Sequence, residues 1–204
     1  PGCGINNSKS VGIACPATEV RIVDLSDSNK VLNIGQDGEI QARGPQVMKG
    51  YYGRTEATAE VLSNDGWLST GDIGHLDEDM YLHITDRKKR LVIVNGENIS
   101  PSKVEDVLGQ QDAVAECVAI GLPDARAGEA LKIIVRYKED AQKPSESDLR
   151  AFLAQDLNRS EMPKWFEETT EALPDKNGKV DWKAIQDNER AKVAQSQAPA
   201  VEAP

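Results

Sequence analysis

No stretch of this sequence approaches the ~18 consecutive apolar residues that a membrane-spanning helix requires, and no basic-then-apolar leader opens it. Any lipid the protein handles is therefore expected as a substrate or at a surface, with a cytoplasmic location as the expectation and peripheral membrane contact as its alternative. Cysteine is scarce and unpatterned. Cys3, Cys15 and Cys117 form an odd set without CxxC or Cys/His spacing, which predicts neither a disulfide framework nor a bound metal. Positive charge is also short: 24 Lys and Arg face 34 Asp and Glu, a net charge of −10 that repels a phosphate polymer unless cations gather locally. They do gather at 86–90, "DRKKR". A nucleic-acid surface built there would interleave aromatics with the cations, yet aromatics are only 4% of the chain and the nearest is Tyr81. No nucleic-acid partner is expected.

What the chain does have is 39% hydrophobic residues, enough for one sizeable core or two small ones. From 18 to 47 the text is strand-like: "TEVRIVDL" alternates, "SDSNK" turns, "IGQDGEIQARG" returns through a glycine-bounded reversal, and "VMKGYYG" follows. "TEATAEVLS" predicts a short helix with Ala59 and Leu62 inward, and "DGWLSTGDIGHLDEDMYLHITDR" resumes strands and turns. Residues 1–88 are thus expected to form a small antiparallel β-rich unit, either barrel-like or a sheet. Trp67, Tyr51 and Tyr52 are expected to pack within it, and His75 and His83 to be structural or surface groups.

After Lys89 the pattern changes. "RLVIV" is an apolar strand; "SPSKVEDVLGQ" opens with Ser100 as N-cap and Pro101 at the first helical position, with Val104, Val107 and Leu108 on one face. "VAECVAIG" and "EALKIIVRY" predict two more strands, and "SESDLRAFLAQDL" a helix whose capping serines precede Leu149, Phe152, Leu153 and Leu157. Residues 89–187 are therefore expected to form a compact α+β unit. "KVAQSQAPAVEAP" is rich in Ala, Pro and Gln, so 188–204 is expected to be a disordered tail. The opening "PGCGINNSKSVG", without an initiator Met, is expected to be a cut through a larger protein.

Three places point to chemistry. In "GWLSTGDIG", Gly71 lets the backbone approach a ligand and Asp72 offers a short carboxylate able to accept two vicinal hydroxyls, or simply to satisfy its own turn. In "TDRKKR", Arg87 presents a fixed fork of donors for hydroxyl or phosphate, whereas Lys88, Lys89 and Arg90 read equally as a solvated strand start. In "DKNGK", Lys179 follows Asn177-Gly178 on a tight reversal: a solvated hairpin tip, or a mobile cation placed against developing negative charge.

The order and spacing of "SVGIACPATEVRIVD", "GEIQARGPQVMKGYYG", "DGWLSTGDIG", "ITDRKKRLVIVNGENISPSKVE", "GLPDARAGEALKIIV" and "LPDKNGKVDWKAI" resemble the carboxy-terminal part of the adenylate-forming enzymes. That superfamily includes acyl-CoA synthetases, and "TDRKK" with "NGENISP" resembles its fatty acyl ligases most. The resemblance spans about residues 10–187. It implies the last β-rich subdomain of a nucleotide-binding domain followed by a mobile α+β lid, and an enzyme that joins a fatty acid to AMP using Mg-ATP, then to a thiol. By this resemblance Asp72 binds ribose hydroxyls with Arg87 beside it, Lys179 bridges the acyl carboxylate and the phosphate, Lys89 is the hinge, and Gly96 lies on the loop lining the pantetheine tunnel. It implies ATP, Mg2+ and CoA as co-substrates and cofactor, and a missing N-terminal region in the same native chain.

The upstream phosphate loop, Mg motif and acyl pocket are absent from these residues, and Thr55-Glu56 belongs to a helix-leading stretch rather than to that Mg motif. The chain alone is accordingly expected to be inactive. "MPKWFEETTEALP" departs from the apolar strand usual before the lysine loop, and Trp182 stands where many CoA ligases carry a basic residue, which resembles ligases loading acyl carrier protein. CoA and carrier protein both stay open as acceptors, and a non-catalytic hinge-and-lid fragment is the alternative function.

Overall fold

In the computed structural model, which describes residues 10–176 and 178–197, the alternating stretch Glu19–Val23 forms β1 and pairs antiparallel with β2, Gly38–Arg43. β3 (Leu68–Leu76) and β4 (Leu82–Arg87) complete an antiparallel sheet in the order β1-β2-β3-β4, with the short helix α1, Thr55–Val61, between β2 and β3. Four strands of at most 9 residues are too few to close, so of the two expected outcomes the chain forms an open sheet rather than a barrel. Its buried side is built on Ile22, Val23, Ile40, Trp67 and Ile73. Trp67 packs as expected, its ring covered by the Arg21 and Arg43 guanidinium carbons at 4.2 and 4.6 Å. Tyr51 and Tyr52 do not: both are exposed, carried outward by turns at Gly50 and Gly53 whose φ is positive. In α1 no residue is fully buried, and Ala59 faces solvent instead of the sheet.

The division into two compact units falls between Lys89 and Arg90. In the second, β5 (Val92–Val94) and β6 (Glu97–Ile99) form a hairpin, followed by helix α2, Pro101–Leu108. Ser100 caps α2 by accepting from Lys103 N, and Pro101 occupies the first turn, where a missing N–H costs nothing. β7 (Val114–Asp124) and β8 (Gly128–Tyr137) make the long central antiparallel pair; α3 (Glu146–Leu153) starts with a full capping box between Ser145 and Asp148. β9, Trp165–Glu168, adds in parallel to β8, which explains its polar text: Glu167 pairs with Lys132 at 2.5 Å and Glu168 with Lys143, both beyond the apolar core.

Alternation along β7 and β8 sends side chains to two cores. Leu131, Ile133 and Val135 meet α2 and α3 through Val104, Leu108, Leu149 and Leu153, while Val118, Ile120, Leu122 and Ile134 meet Leu173 and Ile185 on the opposite face. Each such side chain contributes about 1.5–3 kcal/mol of burial free energy.

The second core corrects the expected tail. After the two-residue strands β10 (Asp175–Lys176) and β11 (Lys179–Val180), helix α4 runs over Trp182–Gln197, well past the predicted end of structure at 188. Residues 198–204 lie outside the described residues. Tertiary contacts hold the helix where local periodicity is weak: Glu189 is buried against Lys132, Arg190 donates to Gly121 O at 3.0 Å and pairs with Glu129 at 2.6 Å, and Val193 packs on the core. Among the described residues no helix is long and apolar enough to cross a membrane.

Candidate functional site

The Thr70-Gly71-Asp72 segment is not an isolated turn but a bulge inside β3. Gln41 pairs with Ser69 and Glu39 with Ile73, so Ile40 alone stands opposite Thr70, Gly71 and Asp72. Gly71 supplies the φ of +73° that the bulge requires, with nothing within 4 Å of where a side chain would begin. Thr70 fixes its geometry: its hydroxyl donates to Ile40 O at 2.8 Å and accepts from Asp72 N at 3.1 Å.

The bulge puts Asp72 directly opposite Arg87 across β3 and β4. Arg87 Nε lies 2.7 Å from Asp72 Oδ1, an ion pair by distance, yet that oxygen is buried and carries no aligned hydrogen bond. The Asp72 side chain is 19% exposed and the Arg87 side chain 66%. A carboxylate with unused acceptor capacity beside an exposed guanidinium fork suits a ligand presenting neighbouring hydroxyls and an anion.

The other cations of the basic run have separate fates. Lys88 reaches the buried Glu39 carboxylate at 2.7 Å, Lys89 is exposed, and Arg90 is half-buried within the second unit. The apparent surface cluster is thus three different structural situations in consecutive residues. His75 and His83 stack at 5.0 Å between ring centres, paired with Asp37 and Asp77 at 2.8 Å each. Neither sits on the Asp72–Arg87 pair.

Asn95-Gly96 forms the β5–β6 reversal, with φ +52° and +84°, the two positive values that a tight two-residue hairpin demands. Space around Gly96 is open, so within this chain its backbone angle, rather than crowding, requires glycine. Lys179 is exposed on β11, paired in register with Lys176, while Asp175 Oδ1 accepts from Gly178 N at 3.0 Å and tightens the tip. Asn177, the first half of the predicted Asn-Gly turn, lies outside the described residues. Trp182, three positions on, packs against the Val118–Ile120 core and beneath Arg90, which explains the aromatic at this position without a docking partner.

Sequence reasoning missed that Arg90 is largely covered, because a fourth cation in a run carries no local mark of being enclosed. Cys117 and Cys15 are free thiols; burial, reinforced by Glu105 and Asp106, pushes the Cys117 thiol up to about 12. Among the described residues no three His, Cys, Asp or Glu side chains converge on one point.

Comparison with known proteins adds the following. Residues 103–179 match the AMP-binding enzyme C-terminal domain and residues 3–52 match the AMP-binding enzyme family, together more than half the chain. A long-chain-fatty-acid CoA ligase of Escherichia coli O157:H7 is 43% identical over 188 residues, covering 92% of this chain and 32% of the relative. One of Bacillus subtilis (strain 168) is 39% identical over 177 residues, covering 87% of this chain and 31% of the relative. The ATP-bound crystal structure of MatB from Rhodopseudomonas palustris superposes with a TM-score of 0.80 at 32% identity, over 89% of this chain and 36% of that one. The chain spans about a third of the length of the curated relatives it matches.

Proposed function

The chain belongs to the AMP-binding enzymes, and from that premise we propose that it is the ribose-site, hinge and lid portion of an ATP-dependent fatty acid CoA ligase. The observation that carries the reading is the Asp72–Arg87 pair, a partly exposed carboxylate held by a guanidinium that is itself open to a ligand. The names of the matched ligases and the ATP-bound relative support it.

In this reading the complete enzyme carries out two displacements. The fatty acid carboxylate attacks the α-phosphorus of ATP and pyrophosphate leaves; the CoA thiolate then attacks the acyl carbon and AMP leaves. Asp72 accepts the ribose hydroxyl hydrogens, and Arg87 holds that carboxylate in place while presenting its free donors to nucleotide. Lys179, exposed at the end of a short hairpin, offsets the charge shared between carboxylate and phosphate as the first bond forms. Lys89 is the pivot between the two units, and the Asn95-Gly96 reversal is the lid edge that faces the incoming thiol. The magnesium ligands and the acyl pocket are assigned to the part of the enzyme outside these residues, and the chain by itself is proposed to be inactive.

The test is fatty-acid-dependent exchange of labelled pyrophosphate into ATP, run on the longest native chain containing this segment and on the 204 residues alone. Exchange only in the long chain is the expected result. Absence of exchange in both, from short to long acids, refutes the ligase reading, and exchange in the short piece refutes its dependence on the remainder.

A further inference from the structure

Arg90 is the first residue of the second unit and follows the proposed pivot directly. Its side chain is only 13% exposed. Nη1 donates to Ser102 Oγ at 2.9 Å and Nη2 pairs with Glu105 Oε1, both on α2; the same Glu105 oxygen accepts from Ala119 N of β7 at 2.7 Å. The guanidinium carbon lies 5.4 Å from the centre of the Trp182 ring, and Nε is buried without a hydrogen bond. One side chain therefore ties the strand leaving position 89 to α2, through Glu105 to β7, and to the first residue of α4.

Trp182 in turn closes the lysine hairpin. Asp181 N donates to Pro174 O at 2.7 Å, Asp181 Oδ1 accepts from Ala184 N at 3.1 Å to cap α4, and Val180 packs into the same core as Trp182. No slack residue separates Lys179 from this anchor. Burying a guanidinium with one nitrogen unsatisfied is costly, and an apolar side chain would pack here at less expense in stability. A lysine could not replace it either, since only a planar fork bonds two partners in its plane while presenting a face to a ring.

We propose that Arg90 is a positioning residue: a clamp that fixes the outgoing end of the Lys89 pivot to Trp182, so that the Lys179 hairpin follows each backbone rotation at the pivot without lag. This rests on the roles proposed for Lys89 and Lys179. Arg90 touches no substrate; it acts through Trp182.

Two measurements test the clamp. In the 204-residue chain, hydrogen exchange is followed at the Gly178 and Asp181 amides, with the Leu149 amide of α3 reporting opening of the whole unit. Arg90→Met, Arg90→Lys and Trp182→Leu are expected to accelerate the first two about tenfold or more while leaving Leu149 unchanged, and Trp182→Phe to retain most of the protection. Equal acceleration at all three amides, or none, overturns the proposal. In the complete enzyme, Arg90→Met is expected to lower the adenylation kcat about tenfold with the KM for ATP unchanged, since orientation and not nucleotide binding is lost. Lys179→Ala is run alongside. If Lys179→Ala abolishes adenylation but Arg90→Met does not slow it, the clamp is refuted; if Lys179→Ala leaves adenylation intact, the lysine assignment fails and the exchange data alone decide the clamp.

Discussion

Replacing Asp72 by Ala separates a binding carboxylate from a structural one. On the folding side two effects oppose each other. The ion pair with the largely exposed Arg87 is worth about 0.2–1 kcal/mol, and its loss leaves a guanidinium that water can solvate. Removing the carboxylate also removes the desolvation cost of a charged group that is only 19% exposed, which offsets part of that loss. The net change should lie within about 1 kcal/mol of zero, a melting shift of no more than about 4 °C for a chain of this size. On the binding side, two hydrogen bonds from hydroxyls to an ionised acceptor are lost, each worth about 1.5–3 kcal/mol. With about 1.4 kcal/mol per factor of ten, kcat/KM for ATP in the complete enzyme should fall at least about 100-fold. The assays are a thermal melt of the 204-residue chain and pyrophosphate exchange in the long one. A melting drop beyond about 10 °C, or a kcat/KM for ATP within threefold of the parent, would refute the reasoning.

Four further outcomes are expected. In the complete enzyme, Lys179→Ala should depress adenylation far more than thioester formation from supplied acyl-adenylate; equal loss in both half-reactions removes the lysine from its role. Truncation after Asp187 should destabilise the second unit by about 3 kcal/mol, because it breaks the buried Glu189–Lys132 contact and uncovers the core beneath Val193, and an unchanged melt would contradict the helical assignment. Acid should loosen the second unit: the Lys164 ammonium beside Asp124 and two backbone amides hold that carboxyl at about 2, and Arg136 holds Glu116 below its ordinary value. Carboxyls depressed on folding stabilise above their unfolded pKa, so this contribution is full at pH 7 and is lost progressively from about pH 4 down to about pH 2. Lys164→Ala should shift that loss to higher pH in circular-dichroism titrations. Iodoacetamide at pH 8 should label exposed Cys15 well before Cys117, whose raised pKa leaves almost no thiolate; comparable rates by peptide mapping would contradict its burial.

The sequence by itself determined whatever depends on neighbours a few residues apart. Ser100-Pro101 and Ser145 with Asp148 mark helix starts because the capping groups satisfy amides within the same turn. The short strand Glu97–Ile99 that follows Asn95-Gly96 was not expected from the sequence, although those two residues take its turn's positive φ values cheaply. The order of six motifs placed Asp72, Arg87, Lys89, Gly96 and Lys179 in proposed roles before any coordinates. Tertiary structure decided the rest. Three Thr-Gly-Asp residues became a bulge because Ile40 alone faces them, and that register is what sets Asp72 against Arg87. The polar text of 165–168 became a strand because β8 offered an edge, and the Ala- and Gln-rich text beyond 188 became helix because Lys132 and Glu129 wait beneath it. Arg90 left the solvent because Ser102, Glu105 and Trp182, 12 to 92 positions along the chain, converge on it. Those contacts join residues remote in sequence, so no local propensity encodes them, and only the packed chain can bring their free energies together.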